Sequence, residues 1–194
     1  MRKSLLLGTI LGGLAAFLWS SISWEVIGWH EKALLTFQED EGVAAVLLSH
    51  TTQSGTYLLP GGPRQEGMTT EQKRAAQTAL MEKMQRGPIM FAAVRREGFG
   101  SYTRGLVIQF LSLMAAAFLL TWLLLQTRGL TYWKRVVFLS VIGLAAGVIS
   151  DLPNWNWWGF SGLYTAVNIA DFTLTWFVAG LIIAKVAKPQ ANLS

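Results

Sequence analysis

The stretch LYTAVNIADFTLTWFVAGLIIA, residues 163–184, decides the fold. It contains no Lys or Arg and a single acid, Asp171. At ~1.5 Å per helical residue it is long enough to cross a hydrocarbon layer of ~30 Å. Its run-in, DLPNWNWWGF at 151–160, reads as an aromatic belt at a membrane surface, with Trp155, Trp157 and Trp158 as anchors. Within the span, Tyr164, Asn168, Asp171 and Thr175 are spaced by four, three and four residues, which stacks them on one helical face. An ionisable group in an apolar span is costly, so this polar stripe is the first candidate for binding or transfer. Counted inward from Lys185, Asp171 lies ~21 Å along the helix, in the half of the span nearer the tryptophans. No span supplies a Lys or Arg opposite it, so an ion pair is not expected there.

Composition agrees with a membrane chain. Apolar residues make up 52% and charged residues only 14%, against ~25% charged in soluble domains. The net charge of +5 does not form a basic stripe interleaved with aromatics, so nucleic acid is not an expected partner. Lys and Arg sit instead at the ends of apolar runs. There is no Cys, which removes disulfides, thiolate metal sites and Cys nucleophiles.

Three further apolar windows precede the first. Residues 5–27 form one, behind Arg2 and Lys3, within a first span at 1–28. A basic flank, an apolar run and the small residues Ser21 and Ser23 also fit a secretory signal peptide. The apolar character continues through Trp24, Val26, Ile27 and Trp29, past the expected cleavage point, which a retained helix explains better. The second and third spans fall at about 105–126 and 135–152, and the fourth at 163–185, so that 104–194 holds three helices and a tail. Gly8 and Gly12 in the first span, and Gly143 and Gly147 in the third, are small residues four apart. Such rows let helices approach closely, and the two are expected to pack, with each other as one option.

Residues 29–103 differ in character. Between Trp29 and Tyr102 there are eight basic and eight acidic residues, so the segment is close to neutral. Acids at Glu39, Asp40 and Glu41 suit the start of a short helix reaching His50. A strand follows at 56–59, closed by Pro60-Gly61-Gly62-Pro63. Thr69 and Gln72 have capping-box spacing for a helix to about Arg86, and 89–94 reads as a second strand. The expected result is a small α+β module, too small to bury a large core alone. Basic residues flank the first span, fill the second link and occupy the tail, whereas the link at 152–162 has none. Both termini are therefore expected in the cytoplasm, with the module and the Trp-rich link outside.

Glu25 and His30 flank the outer end of the first span and read as an interfacial collar. Their five-residue spacing puts them on one face only if the helix ends near Gly28. Two His and no Cys make a transition-metal site a poor expectation. No metal and no cofactor are predicted. The chain lacks a G-x-S-x-G elbow, an H-E-x-x-H pair, a Walker loop and a dinucleotide fingerprint, so no catalytic residue is assigned.

Three stretches carry a resemblance. They are SWEVIGWH at 23–30, SGTYLLPG at 54–61 with GPIMFAAVRREG at 87–98, and DLPNWNWWGF at 151–160. In these the chain resembles a group of small four-pass bacterial integral membrane proteins with no assigned activity. The resemblance implies a bacterial cytoplasmic membrane location. Gly28 stands where that group has proline before the Trp-His pair, so no fixed kink is carried over. The expectation is thus a four-helix transmembrane bundle with an extracytoplasmic α+β module between helices 1 and 2. Its leading functional reading is a non-enzymatic accessory subunit. It would bind an envelope protein, a lipid or a second copy of itself through the module and the Trp-rich rim. The alternative is a small oligomeric transporter or proton-conducting protein that uses the polar face of helix 4.

Overall fold

The structure, a computed structural model, describes residues 2–63 and 65–188. The end of the expected tail, 189–194, lies outside the described residues. The chain divides into two compact units. The first is built from four helices long and apolar enough to cross a membrane, the signature of a multi-pass membrane protein. Helix α1 (Arg2–Ile22) runs on through a π-helical turn (Ser23–Ile27) and is followed by the short α2 (Trp29–Ala33). The other long helices, α5 (Tyr102–Leu125), α6 (Tyr132–Trp158) and α7 (Gly162–Val186), come after the second unit, which contains α3 (Asp40–His50), β1 (Gly55–Leu59), α4 (Thr70–Arg86) and β2 (Met90–Val94).

Local chemistry sets the helix ends. Ser101 accepts a hydrogen bond from the Arg104 N–H (3.2 Å) to start α5, and Ser161 accepts one from the Tyr164 N–H (3.1 Å) to start α7. Gly28 stops the first helix in the left-handed region, at φ 67°, which glycine adopts without a Cβ penalty. The third span extends further than its apolar pattern indicates, to Trp158 and not 152, with Pro153 inside the helix. Proline removes a single backbone donor, and next to it the Asn154 amide donates to the Ser150 carbonyl (2.9 Å). Residues 153–158 consequently belong to a helix and not to a link.

Glycines bring the four helices together. A Cβ on Gly8 would lie 2.4 Å from Thr121 of α5, and one on Gly12 would lie 2.4 Å from Ile183 of α7. Helix α1 is therefore wedged between α5 and α7. A Cβ on Gly143 would meet the Phe172 carbonyl oxygen at 2.6 Å, and one on Gly147 the Ile169 Cα at 3.0 Å, which seats α6 directly on the α7 backbone. Each glycine row thus has a helix to pack on, but the two rows do not pack on each other. A common core of Ala16, Ala117, Leu124, Leu139, Trp176 and Ile183 fills the space between. At one end of this unit Tyr132 donates to the Leu181 carbonyl (3.0 Å) and Arg135 to the Ala187 carbonyl (3.2 Å). These bonds run α6 and α7 antiparallel.

In the second unit β1 and β2 pair antiparallel, with Tyr57 opposite Ala92. Thr69 and Gln72 make both bonds of the capping box at the start of α4. Arg96 closes the end of α3, donating to the Leu48 carbonyl (2.6 Å), the Thr51 carbonyl and the Thr51 hydroxyl (3.0 Å). Neither α3 nor α4 buries a residue.

Candidate functional site

The polar stripe of α7 does not act as a unit. Asp171 faces the end of α1, where three donors converge on its carboxylate. The Trp19 indole N–H (2.9 Å) and the Ser23 hydroxyl (2.8 Å) both reach Oδ1, and His30 Nε2 lies 3.3 Å from Oδ2. Ser23 in turn accepts the Trp29 indole N–H (2.8 Å) and sits 3.1 Å from His30 Nε2. His30 is only 2% exposed. The Trp24 ring lies flat on its imidazole, with centroids 4.0 Å apart and planes within 3°. This corrects two expectations. His30 is a buried partner of Asp171 and not an interfacial collar residue, and the acid, for which no ion pair is expected from sequence, has an imidazole within 3.3 Å that forms one when protonated. Glu25, by contrast, is exposed and accepts from the Tyr102 hydroxyl (3.3 Å).

The local backbone explains how residues on a helix and beyond it meet at one point. Trp19 and Ser23 are four apart and face α7 together. The π-helical turn then widens the helix, and the left-handed Gly28 folds α2 back so that His30 returns to the level of Ser23. Inserted π turns are frequent at functional sites. Neither the turn nor the reversal leaves a mark in hydropathy.

Proton bookkeeping narrows the chemistry. His30 Nε2 faces two oxygens, and the Ser23 proton is already given to Asp171, so Nε2 carries a hydrogen. The other ring nitrogen, Nδ1, is buried with no partner. In a Ser-His-Asp relay the acid holds Nδ1 and the serine faces Nε2. Here serine and acid address the same nitrogen, so Ser23 is not set up as a nucleophile. What the cluster does provide is a carboxylate accepting three hydrogen bonds, joined to a second titratable group that can take or give a proton.

The remaining stripe residues separate. Asn168 donates to Asp151 Oδ1 of α6 (2.9 Å). Asp151 is 6% exposed, and its Oδ2 is buried without a partner. Thr175 is buried and Tyr164 packs against Phe160, with centroids 5.5 Å apart. Asn168, Asp171 and Thr175 line one cleft of about 460 Å³; Tyr164 does not. Its polar wall is completed by Ser20, Gln109 and Ser112, and its apolar wall includes Trp24, Phe172 and Trp176. Trp155 and Trp157 are exposed and Trp158 is half-buried, and none of the three lines this cleft.

Trp19, Ser23, Asp151, Gln109 and Ser112 were not singled out by sequence reading. The usable signal was helical spacing of polar groups inside spans, Gln109 to Ser112 on α5 and Trp19 to Ser23 on α1. No protein-family model matches the chain, and no curated protein or solved structure matches it.

Proposed function

We propose that this is a small membrane transporter or proton-conducting protein in which the Asp171–His30 pair loads and unloads a proton at the wall of the cleft. One observation carries the reading: a buried imidazole paired with a half-buried carboxylate inside an apolar four-helix unit, bordering a cavity of about 460 Å³. Cavities of ~300–1,000 Å³ are the usual size for small-molecule sites, and intramembrane Asp and His are the common parts of proton relays. A unit of only four spans would work as an oligomer. The location proposed with it is the bacterial cytoplasmic membrane, with both termini inside and residues 36–100 outside. Arg2, Lys3, Arg128, Lys134, Arg135, Lys185 and Lys188 support that orientation, since all belong to the same ends of the four helices.

The test is a pH-gradient-driven flux in proteoliposomes, measured with an internal pH dye. The parent protein is expected to dissipate the gradient, and Asp171→Asn and Asp171→Leu to abolish that activity while remaining folded. A parent protein with no flux at any pH ends the reading. A reporter fused to the C-terminus is expected to read cytoplasmic, and the opposite result would reverse the orientation.

A second reading has its own support. Helices α3 and α4 bury nothing and leave Val46, Leu48 and Met81 exposed, as a segment that docks on an envelope protein or lipid would. Crosslinking in native membranes that returns only the protein itself would count against it.

A further inference from the structure

We propose that the ligand of the cleft is a lipophilic organic cation, bound against the Asp171 carboxylate in competition with a proton. This rests on the transport reading above and gives that site its substrate class.

The charge of the cleft is the first argument. Among the described residues, Asp171 and His30 are its ionisable groups and no Lys or Arg lines it. When the imidazole does not carry a second proton, Asp171 brings one uncompensated negative charge to an apolar surrounding. The second argument is the acceptor count. A carboxylate offers about four lone-pair sites. Trp19 and Ser23 use Oδ1 and His30 uses one position on Oδ2, which leaves Oδ2 able to face one more positive group. Third, the walls suit a soft cation. Trp24, Phe172 and Trp176 present aromatic rings, and aromatic faces attract cations that shed water easily. A hard metal ion needs about six oxygen ligands, and a cleft whose walls are largely apolar and aromatic does not gather them.

Proton competition follows from the same geometry. A proton taken up by the pair neutralises the charge that would hold the cation, so the two exchange one for one. The other acids nearest the pair are held apart from it. Glu25 on the π-helical turn is exposed and bonded to Tyr102, and Asp151 on α6 is engaged by Asn168. Helix α5 contributes Gln109, Ser112, Leu113 and Ala116 to the cleft, none of them charged. Binding is therefore expected to strengthen as pH rises through the titration of the pair.

The experiment uses two ions of the same shape and opposite charge, tetraphenylphosphonium and tetraphenylborate. Each is titrated into the full-length protein in nanodiscs of zwitterionic lipid, with empty nanodiscs as the baseline. Saturable binding of tetraphenylphosphonium is expected, roughly ten-fold or more tighter than tetraphenylborate, and tightening as the pH is raised. Asp171→Asn is expected to remove that preference. Because the comparison of the two ions is made on the parent protein, it stands even if the variant fails to fold. Equal binding of both ions, or saturable binding of neither, overturns the proposal. A pH-dependent flux without tetraphenylphosphonium binding removes the cation and leaves the proton pair. Charge-selective binding without any flux supports the ligand class and removes the transport reading.

Discussion

Two carboxylates in this molecule gather hydrogen-bond donors, and they do so in opposite surroundings. Asp171 in the four-helix unit collects Trp19, Ser23 and His30 within an apolar span. Glu97 in the 36–100 unit is fully exposed and takes a hydrogen bond from the Ser54 hydroxyl, beside the charge of Arg96. The donor lists look alike, but their energetic meaning differs. Around Glu97 water competes for every partner, so each bond is a small net gain. Around Asp171 there is little water to take a partner's place, and an unmatched donor keeps its full desolvation penalty. Similar geometry therefore means a small net gain in one place and a large cost of disruption in the other.

The largest effect is expected from breaking the first cluster. Asp171→Leu removes the acceptor of the Trp19 indole N–H and of the Ser23 hydroxyl, while His30 Nε2 keeps Ser23 Oγ at 3.1 Å. At ~1–3 kcal/mol per stranded buried group, tempered by the partners a chain finds within lipid, the loss is roughly 2–4 kcal/mol. Titration with a denaturing detergent measures it. An unchanged midpoint would mean that the donors are satisfied without the carboxylate.

Next comes the packing that presents Asp171. Gly143→Ala drives a methyl group into the carbonyl of Phe172, its neighbour in sequence, and backbone cannot step aside as a side chain can. A cost of about 1–3 kcal/mol is expected, typical of overpacking. Gly12→Ala is expected to cost less, because what it meets is the flexible Ile183 side chain. Equal losses at the two positions would show that α1 is as tightly fixed as α6, and the same unfolding assay decides it.

Asp151 tests the middle ground between the two carboxylates. It is buried as deeply as its role requires but has one donor, Asn168, and one orphaned oxygen. Asp151→Asn keeps a carbonyl for Asn168 and removes a charge, so a change within about 1 kcal/mol of zero is expected. Asp151→Leu strands the Asn168 amide and is expected to cost about 1–2 kcal/mol. If Asp151→Asn instead abolishes proton flux, Asp151 belongs to the proton path together with Asp171.

What the sequence made legible follows from which signals are additive along the chain. Four apolar windows, the capping box at Thr69 and Gln72, and the pairing of two short strands are all local patterns. Asp171 was legible too, because charge inside hydrocarbon is rare whatever its neighbours are. Its partners were not. His30 reads as a surface residue until the π-helical turn and the left-handed Gly28 bring it back by 3.3 Å contact to the carboxylate. Asp151 falls at the end of the third span as read from hydropathy, because Pro153 and the tryptophans look like a helix end, and its partner Asn168 on α7 leaves no mark in that pattern. The glycine rows announce close packing but not with which helix, since a smooth face carries no address.

The smallest effect belongs to Glu97. Its hydrogen bond from Ser54, then one from its own backbone N–H and the charge of Arg96, hold its carboxyl below the ordinary value of 4.5. A carboxylate held low in the folded state contributes stability above its unfolded value, and the contribution is lost as pH falls through the lower folded value. Titration followed by carboxyl carbon shifts is expected to give Glu97 a midpoint below the ordinary 4.5. Ser54→Ala should move it back up without touching flux or the stability of the four-helix unit. A midpoint that stays low in Ser54→Ala would transfer the cause to the backbone N–H of Glu97 and then to Arg96. Arg96 already spends its guanidinium on Leu48 and Thr51, so its charge acts on Glu97 only from a distance, and the hydroxyl is the partner that water displaces first.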